Sequence, residues 1–163
     1  MNEHIRKLDG LGRIVIPKEF RKKIKIFDND KLKISLEKGY IKLEKYSDID
    51  ENINKLIRFK KIIKKEIDFD ILITDLNEFK DLNKELNKEI KEKINYSKTK
   101  IYNQEKDIIF GTNKIINIII LPIMIYGELI GSIIGYSYKR EIDDLDKKIL
   151  EMSKLILIKD IEE

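Results

Sequence analysis

The chain has 163 residues, 42% hydrophobic and 39% charged, enough for one medium domain or two small ones with a heavily charged surface. It contains no cysteine and one histidine, His4, so disulfide frameworks, cysteine zinc sites, thiol nucleophiles and any triad or multi-histidine metal site within one chain are excluded. The formal net charge is only +4, but residues 1–46 hold thirteen Lys+Arg against seven Asp+Glu, a balance of +6, while residues 47–163 hold 21 against 23.

Asp9-Gly10-Leu11-Gly12 is turn chemistry, and Arg13-Ile14-Val15-Ile16 predicts a short β-branched strand after it. Pro17 fits the first position of a helix running to about Ile26. On that helix Lys18, Arg21, Lys22 and Lys25 fall at i, i+3, i+4 and i+7, one continuous basic face. Phe27-Asp28-Asn29-Asp30 breaks the helix. Leu32, Ile34 and Leu36 then alternate with polar residues, Lys38-Gly39 turns, and Tyr40 to Tyr46 alternates again, which predicts two half-buried strands. Five short elements in about 46 residues bury too little for a robust core, so a second copy is expected to complete it. Of five arginines, Arg6, Arg13 and Arg21 lie in this segment of a chain that otherwise uses lysine. Their planar forks grip phosphate or guanine with two hydrogen bonds, and the segment reads as a polyanion-binding head. The bland alternative makes Arg13 and Arg21 ion-pair partners of Asp9 and Glu19, and His4 a surface residue.

Ser47-Asp48 predicts an N-cap before a helix of about 49–66, whose stripe of Ile49, Ile53, Leu56, Ile63 and Ile67 is interrupted by Lys60. That helix either packs on its own domain or pairs with its copy, and a charge in the stripe would weaken such pairing. Phe69–Asp75 reads as a core strand. Leu82, Leu86, Ile90 and Ile94, spaced by four, predict one amphipathic helix, followed by a polar stretch from Asn95 to Gln104. Ile115 to Tyr138 carries Glu128 as its only charge, so a membrane span competes with a buried hairpin turning at Tyr126-Gly127-Glu128; Pro122 and the heavy isoleucine content favour the hairpin. Asp143 opens a closing helix with Leu145, Ile149, Met152, Leu155 and Ile156 on one side. These elements describe an α+β chain whose body is an antiparallel sheet with helices.

The run from Arg6 to Arg21, with Leu-Gly-Arg-Ile-Val-Ile-Pro at its centre, resembles the N-terminal DNA-binding domain of the AbrB family of transition-state regulators, and the resemblance extends to Tyr46. It implies a dimeric swapped-hairpin β-barrel in which Arg6, Arg13, Arg21 and Lys22 contact DNA. Lys7, Lys18 and Lys25 add to the basic surface. Leu121-Pro122-Ile123 and Gly127-Glu128-Leu129-Ile130-Gly131 before the closing helix are similar to the end of GAF domains, which hold small ligands between sheet and loops. The two together resemble transcription regulators of the sporulation stage. The resemblance implies a DNA-binding domain over 1–46, a linker or dimerisation helix over 47–67 and a GAF-like sensor or oligomerisation domain over 68–163.

The expected partners are double-stranded DNA, a second copy through the head with a tetramer as a further step, and a small-molecule effector of the C-terminal domain. No cofactor, catalytic residue, metal site or membrane is expected, and the place is the cytoplasm, because no basic-then-apolar leader pattern opens the sequence. The alternative is an antitoxin with the same head. Those usually carry a short, acidic, flexible tail, unlike the nearly neutral, core-patterned remainder of this chain.

Overall fold

In a computed structural model, which describes residues 3–95 and 98–163, the chain divides after Tyr46 into two units. The first holds helix α1 (Lys18–Lys23) and an antiparallel hairpin of strands β1 (Leu32–Glu37) and β2 (Tyr40–Lys45). Lys38 and Gly39 both adopt positive φ, the turn that matches the natural twist of a two-residue hairpin. The strand expected over Arg13–Ile16 is absent, and residues 3–17 carry no helix or strand. A strand needs a partner, and among the described residues β1 and β2 pair only with each other and leave this segment unpaired. The two hairpin strands are also less covered than their alternation predicted, since Ile34, Leu36 and Ile41 are exposed. Ile26 is the one buried apolar side chain among the described residues of this unit.

The head helix is shorter than expected. Pro17 caps it from outside, and it closes at Ile24 in a Schellman arrangement: the Ile26 N–H donates to the Arg21 carbonyl and the Lys25 N–H to the Lys22 carbonyl. Lys25 occupies the left-handed position usually given to glycine, at φ 53°. It therefore lies past the helix end, and the basic face that includes it is corrected to Lys18, Arg21 and Lys22.

The second unit is one six-stranded antiparallel sheet with elements packed on both faces. Its strands are β3 (Asp70–Thr74), β4 (Glu78–Phe79), β5 (Lys84–Glu85), β6 (Lys100–Lys106), β7 (Ile115–Ile125) and β8 (Glu128–Ser137), in the order β5-β4-β3-β8-β7-β6. The long apolar run is the β7–β8 hairpin, paired from Asn117↔Ser137 to Ile125↔Glu128. No helix among the described residues is long and apolar enough to cross a membrane. One face of the sheet packs Ile71, Ile73, Ile119, Leu121, Ile123 and Ile133 under helices α2 (Asp48–Glu51), α3 (Ile53–Ile63) and α5 (Asp144–Glu162). The other packs Leu72, Ile116, Ile118, Ile120 and Ile134 under α4 (Lys88–Ile94) and Ile109 of the loop after β6. A sheet buried on both faces explains why β7 reads as a continuous apolar run rather than an alternation.

Four expectations for this unit are corrected. The helix of 49–66 is two helices broken at Asn52. Ser47 caps the first by accepting from the Asp50 N–H, and α3 buries Leu56, Phe59 and Ile63 in the body's own core. This face of α3 therefore packs on its own domain. Lys60 does not sit as a bare charge in an apolar stripe: its Nζ meets Asp81 Oδ1 at 2.7 Å, and Asp81 also accepts from the Ile73 N–H. The helix through Leu82, Leu86, Ile90 and Ile94 begins only at Lys88, because Asn87 caps it there and Asn83, at φ 49°, belongs to the turn into β5. Part of the polar stretch from Asn95 to Gln104 is strand: β6 adds to the sheet edge by pairing Lys100↔Ile120 and Ile101↔Ile119. Tyr96 and Ser97 of that stretch lie outside the described residues. Edge strands tolerate polar side chains, so pairing with β7 rather than local pattern makes this one.

Candidate nucleic-acid interface

The loop Asp9–Arg13 of the basic head is closely hydrogen-bonded. Asp9 Oδ1 accepts from the backbone N–H groups of Leu11 (2.9 Å) and Arg13 (2.8 Å), while Oδ2 accepts from Arg13 Nε at 2.7 Å. The backbone closes the same ring, with the Asp9 N–H on the Arg13 carbonyl and the Gly12 N–H on the Asp9 carbonyl. Gly12 supplies the left-handed turn at φ 75°, where a side chain would strain the loop. The Arg13 backbone N–H and guanidinium together hold the Asp9 carboxyl below its ordinary pKa. The side chains remain open to solvent, 72% exposed for Arg13 and 41% for Asp9.

Arg21 pairs through Nη1 with Asp28 Oδ1 at 3.1 Å, not with Glu19. Asp28 is a contact the sequence does not single out beyond its place in the helix-breaking run. Lys18 opens α1, Arg21 and Lys22 stand in its last turn, and Lys25 follows it. Arg6 donates to the Ile5 carbonyl, and both Arg6 and Lys7 are exposed in the segment before the loop. The seven candidate residues thus come from three stretches: the leading segment, the Asp9–Arg13 loop and the helix with its closure. His4 sets its ring edge against Phe20, centroids 5.0 Å apart, a packing contact.

Two charged clusters of the body are tied internally. Arg140 grips Asp146 through both terminal nitrogens (2.6 and 2.9 Å) and Asp68 through Nε; Asp146 and Asp143 also form the capping box of α5. The hydrogen bond from Arg140 is the main reason the Asp146 carboxyl titrates low. Buried Asp107 accepts from the N–H groups of Ile109 and Phe110 and from the hydroxyls of Thr112 and Tyr138. Burial alone would raise its pKa; the Phe110 N–H, the Thr112 and Tyr138 hydroxyls and the Thr112 N–H outweigh it and lower the carboxyl. Among the described residues no group of three or more acidic or histidine side chains is placed to hold a metal ion. Between α3 and α5 lies a cavity of about 560 Å³, lined by Phe59, Ile62, Ile63, Ile156 and Leu157, with Arg58 also on its lining.

Comparison with known proteins bears on both units. Residues 5–51 match the family described as antidote-toxin recognition MazE, bacterial antitoxin. Stage V sporulation protein T of Bacillus subtilis (strain 168) is 25% identical over 172 aligned positions, covering 98% of this chain and 97% of that protein. Among solved structures, the cofactor-binding GAF domain of the nutrient sensor CodY from Clostridium difficile is similar at a TM-score of 0.45 and 13% identity, over 71% of this chain and 99% of that domain. The chain therefore carries an N-terminal domain of the MazE type, followed by a body of antiparallel sheet and helices, and along nearly its whole length it resembles stage V sporulation protein T.

Proposed function

We propose that the protein is a homo-oligomeric, DNA-binding transcription regulator of sporulation-stage genes, whose head grips duplex DNA and whose body joins the chains. The single observation that carries this is the reach of the similarity to stage V sporulation protein T, which runs through head and body alike. The head supplies the chemistry: its +6 balance and its arginine forks suit a phosphate backbone, with Arg6, Arg13, Arg21 and Lys22 in contact and Lys7, Lys18 and Lys25 beside them. Its exposed Ile5, Leu8, Leu11, Val15, Ile34, Leu36 and Ile41 are the core residues a second copy would cover by exchanging hairpins.

The body contributes a second interface. Both faces of its sheet are filled by its own side chains, yet α5 turns Leu145, Met152, Leu155 and Ile156 outward, each 62–73% exposed. Leu145, Ile149, Met152 and Ile156 recur at steps of four, three and four, the spacing of a helix-pairing seam. Pairing of these helices would make a tetramer from two head-linked dimers. A small effector acting through this body would enter at the cavity between α3 and α5.

The antitoxin reading has one observation in its favour, the description of the family matched at residues 5–51. Against it stands the folded 117-residue body, where a toxin-threading tail would be flexible. Limited digestion separates the two, because a regulator leaves a protease-resistant body whereas a flexible tail is removed; titration with duplex DNA tests the head. With roughly 6–10 phosphates neutralised per assembly, affinity should fall about a thousandfold or more between 50 and 200 mM salt. Salt-independent binding, or no binding at 50 mM, would overturn the proposal.

A further inference from the structure

Resting on the DNA-binding function proposed above, we propose that Asp9 is a positioning residue that presents Arg13 end-on to a guanine, making Arg13 the base-reading arginine of the head. The pair is too exposed to be explained by stability, since ion pairs in open solvent contribute little. Its geometry is nonetheless over-determined. One oxygen of Asp9 takes two backbone N–H groups and so fixes the loop; the other takes Arg13 Nε and so fixes the plane of the guanidinium. With Nε held, the two terminal nitrogens remain as a fork, and that end-on edge matches the O6 and N7 acceptors of guanine in the major groove. Arg21 differs: Asp28 engages one of its terminal nitrogens, so its fork is not presented free. The division of labour follows, with Arg13 specifying sequence and Arg21, Arg6 and the lysines holding phosphate.

The experiment uses the full-length protein and duplexes selected by it from a randomised library, then remade with 7-deazaguanine, which lacks the N7 acceptor, at single positions. Wild type should lose roughly 5- to 150-fold at one guanine per half-site. Asp9→Asn keeps an oxygen for the two backbone N–H groups but places an amide N–H against Arg13 Nε. It should abolish most of that penalty while leaving the salt slope and the melting temperature unchanged, and Asp9→Glu should restore part of it. Arg13→Lys, which keeps the Asp9 loop and the charge, should abolish the penalty likewise, and serves if Asp9→Asn alters folding.

Retention of the full penalty in both Asp9→Asn and Arg13→Lys, or no guanine that matters to wild type, would overturn the assignment while leaving DNA binding intact. Failure of the wild type to bind any duplex at low salt would instead remove the function on which the assignment rests.

Discussion

Two kinds of charged residue occur in this chain, and they answer to different measurements. In the head, Arg13 is open to solvent and Arg21 half-exposed, and both pair with acids at the surface, so their removal costs the fold little. Arg13→Ala and Arg21→Ala should each weaken binding to duplex DNA several-fold or more with a nearly unchanged melting temperature in calorimetry; unfolding of either variant would make these residues structural. In the body, Asp107 is buried and satisfies four donors. Asp107→Ala leaves them unpaired and should lower the stability of the body by about 2–4 kcal/mol in urea titration. The carboxyls of Asp107 and Asp146 both titrate below their ordinary value. A carboxylate held low in the folded state contributes stability that is fully present above its unfolded pKa, near 4, and is lost as pH falls through the lower folded value. The urea midpoint should therefore hold steady from neutral pH down to about 5 and drop below about 4. Asp107→Asn should flatten that drop.

Among the elements, the β3–β8 pairing and the α3–β4 corner are the places where one atom decides. A Cβ on Gly131 would stand 2.1 Å from the Thr74 carbonyl oxygen, a backbone atom that cannot turn aside. Gly131→Ala should cost roughly 3 kcal/mol or more and lower the expression of folded protein, the severe end of overpacking. The three glycines spaced by four in this run, which resemble a helix-dimer motif, thus serve a sheet and its turn: Gly131 and Gly135 lie in β8 and Gly127 at its start. At the corner, Lys60 neutralises Asp81, which in turn holds the Ile73 N–H of β3. Lys60→Leu leaves that half-enclosed carboxylate without its cation, so a loss of about 1–3 kcal/mol in stability is expected with no change in oligomeric state by light scattering. Tighter association of this variant would instead mean that α3 pairs between chains.

At the scale of the whole molecule, two apolar surfaces are left over: the interior-type residues of the head and the outward seam of α5. Leu145, Met152, Leu155 and Ile156 together with Ile62 expose on the order of 600 Å² of apolar surface, at the upper edge of what monomers leave bare and close to one side of a standard interface. Met152→Asp and Ile156→Asp should halve the assembly seen by sedimentation, from tetramer to dimer, and weaken DNA binding only through lost avidity, by about 10²-fold or more where two heads share one duplex. A single species unaffected by either substitution would confine association to the head.

What is local or compositional was legible in the residues alone. The turn signals, caps and apolar runs placed the β1–β2 hairpin, the β7–β8 hairpin with its turn, the N-cap at Ser47, the helix opening near Asp143, and the charge division at Tyr46, because each is written in a few adjacent residues. The run from Arg6 to Arg21 carried the resemblance of the head and named its arginines. The Asp9–Arg13 contact was legible as an alternative, whereas the Arg21 partner was not, since Asp28 lies beyond a helix closure that depends on Lys25 adopting a left-handed conformation.

Tertiary structure decided whatever depends on a neighbour distant in the chain. The polar residues of β6 become a strand only because β7 offers its edge, and Leu82 leaves the helical pattern because Asn87 starts the helix later. Lys60 finds Asp81 across 21 residues, and Arg13–Ile16 forms no strand in one chain because nothing there pairs with it. Periodicity reports which side of a segment is apolar; only the three-dimensional arrangement supplies the partner that side or edge requires.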